Sequence, residues 1–497
     1  MISLRKAIPI FYSALLLTGV NLLLRFSGTA FQVFLSSRLG ASGIGLLQLV
    51  LSVGGLSTTM SVAGIRTGAM YLTAEELGKK KPGTVRFVLS GCFIYSIIIS
   101  TIVSLCLRIF APFIASMWIG NANTVPALRL LAAFIPVNCL CSVMVGYFTA
   151  AKRIGALSVV EIAEQLCSMS ITAALLLYWA NHDPIRSCQA VILGSSLGSC
   201  LTLVALMVLR IMEKVPSADP IPIRNRLLQI AVPLALADDL KSGLNTLENL
   251  MVPKRLALHS ATAAPLAAFG TLCGMVFPVL MFPAAILYAL AELLIPELAR
   301  CNAANSRQRI IYLSRRSLRI AMLYGCLFSG LMILAAEPLC LQLYKNAEAG
   351  YWLKRYALLI PMLYCDAITD AMTKGLGQQK ACVCYNILTS AMDVAFLFLL
   401  LPEYGMVGYY ISFTVTHALN FLLSVRRLLK ITQRKPRLYT ILATLSATEA
   451  AILLCSLLPS PTLSCICYPA VLLSLFTLFK ITGTGDLRWL KGLILIK

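Results

Sequence analysis

Apolar stretches of about 20 residues, long enough to cross a bilayer as helices, recur along the whole chain. They lie near 9–35, 44–72, 87–110, 126–150, 156–180, 188–211, 227–252, 264–298, 317–343, 354–376, 381–401, 406–425, 438–458 and 463–480, each bounded by charges, Pro, Gly or Asn. The pattern predicts an all-α, polytopic membrane protein of about 14 transmembrane helices. The run 264–298 is too long to cross upright, so it must tilt, extend beyond the bilayer, or kink at Pro278 or Pro283. Arg5 and Lys6 precede an apolar run from Ala7 to Leu24 that exceeds a signal-peptide core, so it reads as an uncleaved first helix. Gly40-Ala-Ser-Gly43-Ile-Gly45 reads as a flexible hairpin between the first two spans.

Composition strengthens this reading. Of 497 residues, 59% are apolar and 12% charged, whereas soluble domains carry about 25% charge. That excludes a cytosolic enzyme, a disulfide scaffold and a disordered chain. The net charge of +22 arises from 42 bases against 20 acids, and the bases cluster in the short gaps. Alternate gaps hold 30 bases on one side and 9 on the other, which predicts both termini in the cytoplasm. No basic face, aromatic platform or zinc spacing accompanies the charge, so nucleic acid is not an expected partner. Most of the 17 cysteines sit inside apolar runs and read as small hydrophobes.

The halves carry a weak repeat. Gly146–Ser168 can be laid against Ala371–Asp393 at an offset of 225: a helix end, a basic hairpin with Gly, then a helix with polar groups. Gly64–Lys81 and Ala291–Arg309 share a similar plan. The longest gap, with Pro216, Pro220 and Pro222, reads as a linker. These features predict a six-helix lobe over 1–215, a second over 216–436, and two additional helices over 437–497.

Ionisable groups inside spans are costly in hydrocarbon and tend to face a cavity. The seventh span carries Asp238, Lys241, Asn245 and Glu248 at steps of three and four, on one helical face, with Asp239 and Asn249 slightly around it. An internal Asp238–Lys241 pair and a water-filled cavity lined by the stripe are both open readings. Asp366, Asp370 and Lys374 repeat the spacing in the tenth span, Asn386 and Asp393 share a face of the eleventh, and Glu161 and Glu164 lie near one end of the fifth. Arg25 and Arg66 bring guanidinium groups into the first half, where they suit phosphate; snorkelling and pairing with a neighbouring acid are the plainer alternatives. Arg25, Arg66, Lys241 and Asn245 are therefore candidate substrate-binding residues. Asp238, Asp239, Glu248, Asp366, Asp370 and Asp393 are candidates for coupling to Na⁺ or H⁺. No catalytic residue, metal site or cofactor is expected, since neither H-E-x-x-H nor G-x-S-x-G occurs.

Three stretches carry a family resemblance: LLLRFSGTAFQVFLSSRLGASGIGLLQL, FPAAILYALAELLIPELAR and TKGLGQQKACVCYNI. Together they resemble the multidrug/oligosaccharidyl-lipid/polysaccharide exporter superfamily, and within it the stage V sporulation protein B branch of polysaccharide flippases. The resemblance implies alternating access between two lobes. It also implies movement of a polyprenyl-pyrophosphate-linked sugar precursor, lipid II-like or a polysaccharide unit, across the bacterial cytoplasmic membrane. Cell-wall or spore-cortex synthesis would be the setting, with membrane lipid and cell-wall synthesis proteins as partners. The first-helix Arg of lipid II flippases is matched by Arg25, whereas a second basic position falls at Phe31, and one before the helix-8 Phe-Pro falls near Pro278. A cation-coupled multidrug exporter of the same superfamily and a non-transporting sporulation scaffold are the alternative readings.

Overall fold

The structure, a computed structural model, describes residues 4–62, 64–79, 82–180, 183–213, 223–260, 262–433, 438–479 and 481. Lys80, His182 and most of the expected linker lie outside the described residues. No strand occurs among those described. Helices are the expected outcome where no water is available to satisfy backbone groups.

The helices are α1 (Leu4–Val62), α2 (Ile65–Gly78), α3 (Val85–Phe113), α4 (Val125–Ala150), α5 (Ile154–Tyr178), α6 (Pro184–Ile211), α7 (Arg224–Leu256) and α8 (Pro265–Gly270). They continue with α9 (Phe277–Met281), α10 (Ala284–Ala303), α11 (Arg307–Tyr344), α12 (Ala347–Ala357), α13 (Ile360–Gly375), α14 (Gln379–Thr432), α15 (Leu438–Ser456) and α16 (Pro461–Leu478). Each of the fourteen expected apolar stretches falls on a helix or a run of short helices. Two rods are each interrupted by one glycine at positive φ: α1 at Gly40 (φ 68°) and α14 at Gly405 (φ 57°). The hairpin expected over Gly40–Gly45 is thus tighter than the sequence suggests, because Gly40 alone leaves helical geometry. Among the described residues, nine helices are individually long and apolar enough to cross a membrane. The polar α7 is not one of them. The span over 265–303 is broken between Met281 and Ala284.

The chain forms two compact units, 1–274 with 390–412, and 275–389 with 413–497. In the first, a core of Ile65, Leu72, Val88, Cys92, Val143, Phe148, Leu157, Leu206 and Leu227 joins α2 to α7. Small residues set the closest approach. A Cβ on Gly194 of α6 would lie 3.0 Å from the Ser168 carbonyl oxygen of α5, and one on Gly198 would lie 3.0 Å from the Ser168 Cβ. This small-xxx-small seam lets two backbones touch where the bilayer offers no hydrophobic drive between helices. At the end of α2, Glu75 pairs with Arg226 of α7 and with Lys79 at 2.8 Å. Glu75 and Glu76 hold the exposed Lys79 ammonium above the usual lysine range.

The second unit contains its own core, in which Cys326 of α11, Ala447, Ala451 and Cys455 of α15, and Tyr468, Leu472 and Phe476 of α16 are buried. The Tyr468 hydroxyl donates to the Cys326 carbonyl at 2.9 Å, so the ring's polar end is satisfied inside an apolar cluster. Tyr356 packs edge-on against Phe277 and Phe413, which stack on each other, with centroids 5.3–5.4 Å apart. All 17 cysteines are free thiols, and most are buried or half-buried.

Candidate functional site

Two polar sites lie within the first unit. The first joins α7 to α14. Glu248 and Asp393 face one another as neighbouring carboxyl groups, with Tyr409 beside Glu248. Ser412 Oγ donates to Asp393 Oδ1 at 2.5 Å. The arrangement is held from behind. Asn249 Nδ2 donates to Ser52 Oγ at 2.9 Å, and Thr246 Oγ1 donates to the Ser52 carbonyl at 3.2 Å, fixing α7 against α1. The Gly405 break returns the chain, so Ser412 comes back beside Asp393, nineteen residues earlier. His259 Nδ1 donates to the Pro402 carbonyl at 3.1 Å beside that break.

The remaining members of the α7 stripe do not join this pair. Asp238, Lys241 and Asn245 are exposed, and Asp239 is half-buried. No Asp238–Lys241 ion pair forms among the described residues.

The second site is an open groove of about 470 Å³ lined by Leu24 of α1, Glu161, Glu164, Gln165 and Ser168 of α5, and Ser195 and Ser199 of α6. Gln165 Nε2 donates to the Leu24 carbonyl at 2.8 Å and to Ser27 Oγ at 2.9 Å, tying α5 to α1. Ser199 Oγ donates to Glu164 Oε1 at 3.3 Å. Arg25 follows the lining Leu24 and is exposed, as is Arg66 of α2. Arg66 acts electrostatically on Glu161, in line with the neighbouring-acid alternative for that arginine.

In the second unit, Asn420 Nδ2 donates to Asp366 Oδ2 at 3.2 Å, and Asp370 pairs with Lys374 at 2.5 Å. The candidate acids of the tenth span therefore make local partnerships. No cluster of three or more His, Cys, Asp or Glu capable of holding a metal occurs among the described residues. Sequence reasoning missed Tyr409, Ser412, Ser52, Gln165, Ser195 and Ser199. Tyr409, Ser52, Gln165 and Ser199 are polar residues in apolar runs that meet groups on other helices, whereas Ser195 bonds within α6 and Ser412 meets Asp393 across the break of α14.

Comparison with solved structures shows which fold this is. An inward-closed structure of the lipid II flippase MurJ aligns with a TM-score of 0.66 over 98% of this chain and 100% of that one, at 12% identity. An inward-facing multidrug-resistance transporter of the MATE family aligns with a TM-score of 0.65 over 84% of this chain and 100% of that one, at 13% identity. The chain has the exporter-superfamily fold. The family model described as MatE matches residues 18–178 of this exporter-fold chain. Stage V sporulation protein B of Bacillus subtilis (strain 168) is 21% identical over 411 residues, covering 79% of this chain and 78% of that protein. The sporulation protein YkvU of the same organism is 21% identical over 386 residues, covering 74% and 83%. The match to stage V sporulation protein B agrees with the resemblance read from the sequence. The exporter-fold neighbours are named as transporters and a flippase rather than as enzymes.

Proposed function

We propose that the protein is a flippase that moves a polyprenyl-pyrophosphate-linked sugar precursor across the bacterial cytoplasmic membrane by alternating access, in cell-wall or spore-cortex synthesis. The observation that carries this reading is the extent of the likeness. The flippase structure is matched over 98% of the chain, whereas the multidrug transporter structure is matched over 84%. The two sporulation relatives support the same choice.

The physical task is to carry a polar headgroup through hydrocarbon while its lipid tail stays in the bilayer. Arg25 and Arg66 offer guanidinium donors for the pyrophosphate, and Lys241 and Asn245 offer further polar contacts on α7. The Glu248–Asp393 pair is the coupling element in this proposal. It binds and releases H⁺ or Na⁺ as the transporter cycles. Asp238, Asp239, Asp366 and Asp370 are secondary candidates for the same role. Both termini lie in the cytoplasm in this scheme, with lobes over 1–215 and 216–436 and the helices of 437–497 added.

Arg25→Ala tests the reading. In a strain depleted of the native protein, lipid-linked precursor on each membrane leaflet is measured with the variant at normal protein levels. The expected result is accumulation of precursor on the cytoplasmic leaflet. An unchanged leaflet distribution in Arg25→Ala, together with lost efflux of cationic dyes in Glu248→Gln, would support the multidrug exporter instead. Full activity of both variants would support the scaffold.

A further inference from the structure

The groove between α1, α5 and α6 has a lopsided hydrogen-bonding inventory. Gln165 is oriented by the Leu24 carbonyl, which can only accept, so both amide donors are committed and its oxygen remains. Ser195 Oγ donates to the Ile192 carbonyl at 3.0 Å, and the Ser199 hydroxyl is shared between the Ser195 carbonyl at 3.2 Å and Glu164 Oε1 at 3.3 Å. Glu161 receives no hydrogen bond among the described residues. The groove therefore presents carboxylate, carboxamide and hydroxyl acceptors with few free donors, and a complementary ligand must bring its own.

Charge narrows the choice. Arg66 acts on the lining Glu161 and offsets part of the groove's negative charge. The carboxylates and the amide oxygen accept hydrogen bonds, so the hydroxyl and amide N–H donors of an uncharged glycan meet complementary partners. A phosphate, which only accepts, has no place among these acceptors. The volume of about 470 Å³ lies within the range of small-ligand sites.

From this geometry we infer that the groove lined by Glu161, Glu164, Gln165, Ser168, Ser195 and Ser199 binds the neutral sugar portion of the substrate through its hydroxyl and amide donors. The inference rests on the flippase reading, and it adds where in the fold the glycan is held and by which groups.

The test uses the full chain in lipid nanodiscs and ligand-observed NMR. The probe is a water-soluble disaccharide of N-acetylhexosamines without lipid or phosphate, and tetraphenylphosphonium is the comparison cation. Saturation transfer to the disaccharide is expected, with affinity reduced about tenfold in Glu164→Gln, as for loss of a charge-assisted hydrogen bond. Ser199→Ala, a smaller change, should weaken binding less while leaving thermal unfolding unchanged, which separates recognition from misfolding. Binding of the cation but not the disaccharide, or of neither to the folded wild-type chain, overturns the inference. So does equal disaccharide affinity in wild type, Glu164→Gln and Ser199→Ala. The leaflet measurement on Arg25→Ala is independent of this assay. A failed glycan test with a positive leaflet result removes the groove alone, and the reverse outcome removes the transport reading alone.

Discussion

Glu248 and Asp393 are the residues whose chemistry is most constrained by their surroundings. The two carboxyl groups stand side by side, with Ser412 donating to Asp393 and Tyr409 beside Glu248. Replacing Asp393 by Asn removes one carboxyl group while keeping the shape. Transport by Asp393→Asn is expected to fall at least about tenfold, equivalent to ~1.4 kcal/mol. Any residual rate should show an altered dependence on pH or Na⁺, because Glu248 is left without its acidic neighbour. Rates measured at several pH and Na⁺ values in reconstituted vesicles check this, and a variant that retains the wild-type ion dependence would remove the pair from coupling. Ser412→Ala keeps both carboxyl groups, so it should shift the ion dependence without abolishing it.

At the level of elements, the two glycine breaks decide where polar residues meet. Gly405 has φ 57° and ψ −136°, a region nearly closed to residues with a side chain. A Cβ there would lie 2.7 Å from the His259 ring. Gly405→Ala should therefore lower stability by about 1–3 kcal/mol, read as a fall in the midpoint of thermal unfolding in detergent. An unchanged midpoint would show that the break tolerates a side chain. The rods themselves were legible in the sequence because a twenty-residue apolar run has few alternatives in a bilayer. The stretch 227–252 is more polar than the other spans and α7 is not among the helices long and apolar enough to cross a membrane, yet its three- and four-residue spacing still marks one polar face. The pairing of rods was not legible. Asp393 and Glu248 were each visible as buried acids, yet nothing in the sequence puts them together, since their meeting depends on which faces of α7 and α14 turn inward. Gln165 and Ser199 escaped notice for a similar reason: a lone amide or hydroxyl in an apolar run gains meaning only from the helix opposite.

On the scale of the whole molecule, the 30-to-9 distribution of bases fixes an expected orientation. In a background freed of reactive native thiols, Arg309→Cys should be shielded from a membrane-impermeant reagent in intact cells, and Asn123→Cys should react. Arg309 also pairs with Glu297 at 2.6 Å on an exposed surface, so its replacement should cost no more than ~1 kcal/mol and leave the fold intact for labelling. Reaction of Arg309→Cys from outside would reverse the proposed topology and, with it, the side from which substrate enters.

The close seam of Gly194 and Gly198 against Ser168 bears on timing as well as on packing. Because α5 and α6 touch at the backbone, the walls that carry Glu164 and Ser199 are already in position before anything arrives. In the groove proposed above, a wall formed in advance spares the host its share of the ordering cost, so only the linkages of the glycan have freedom to lose on capture.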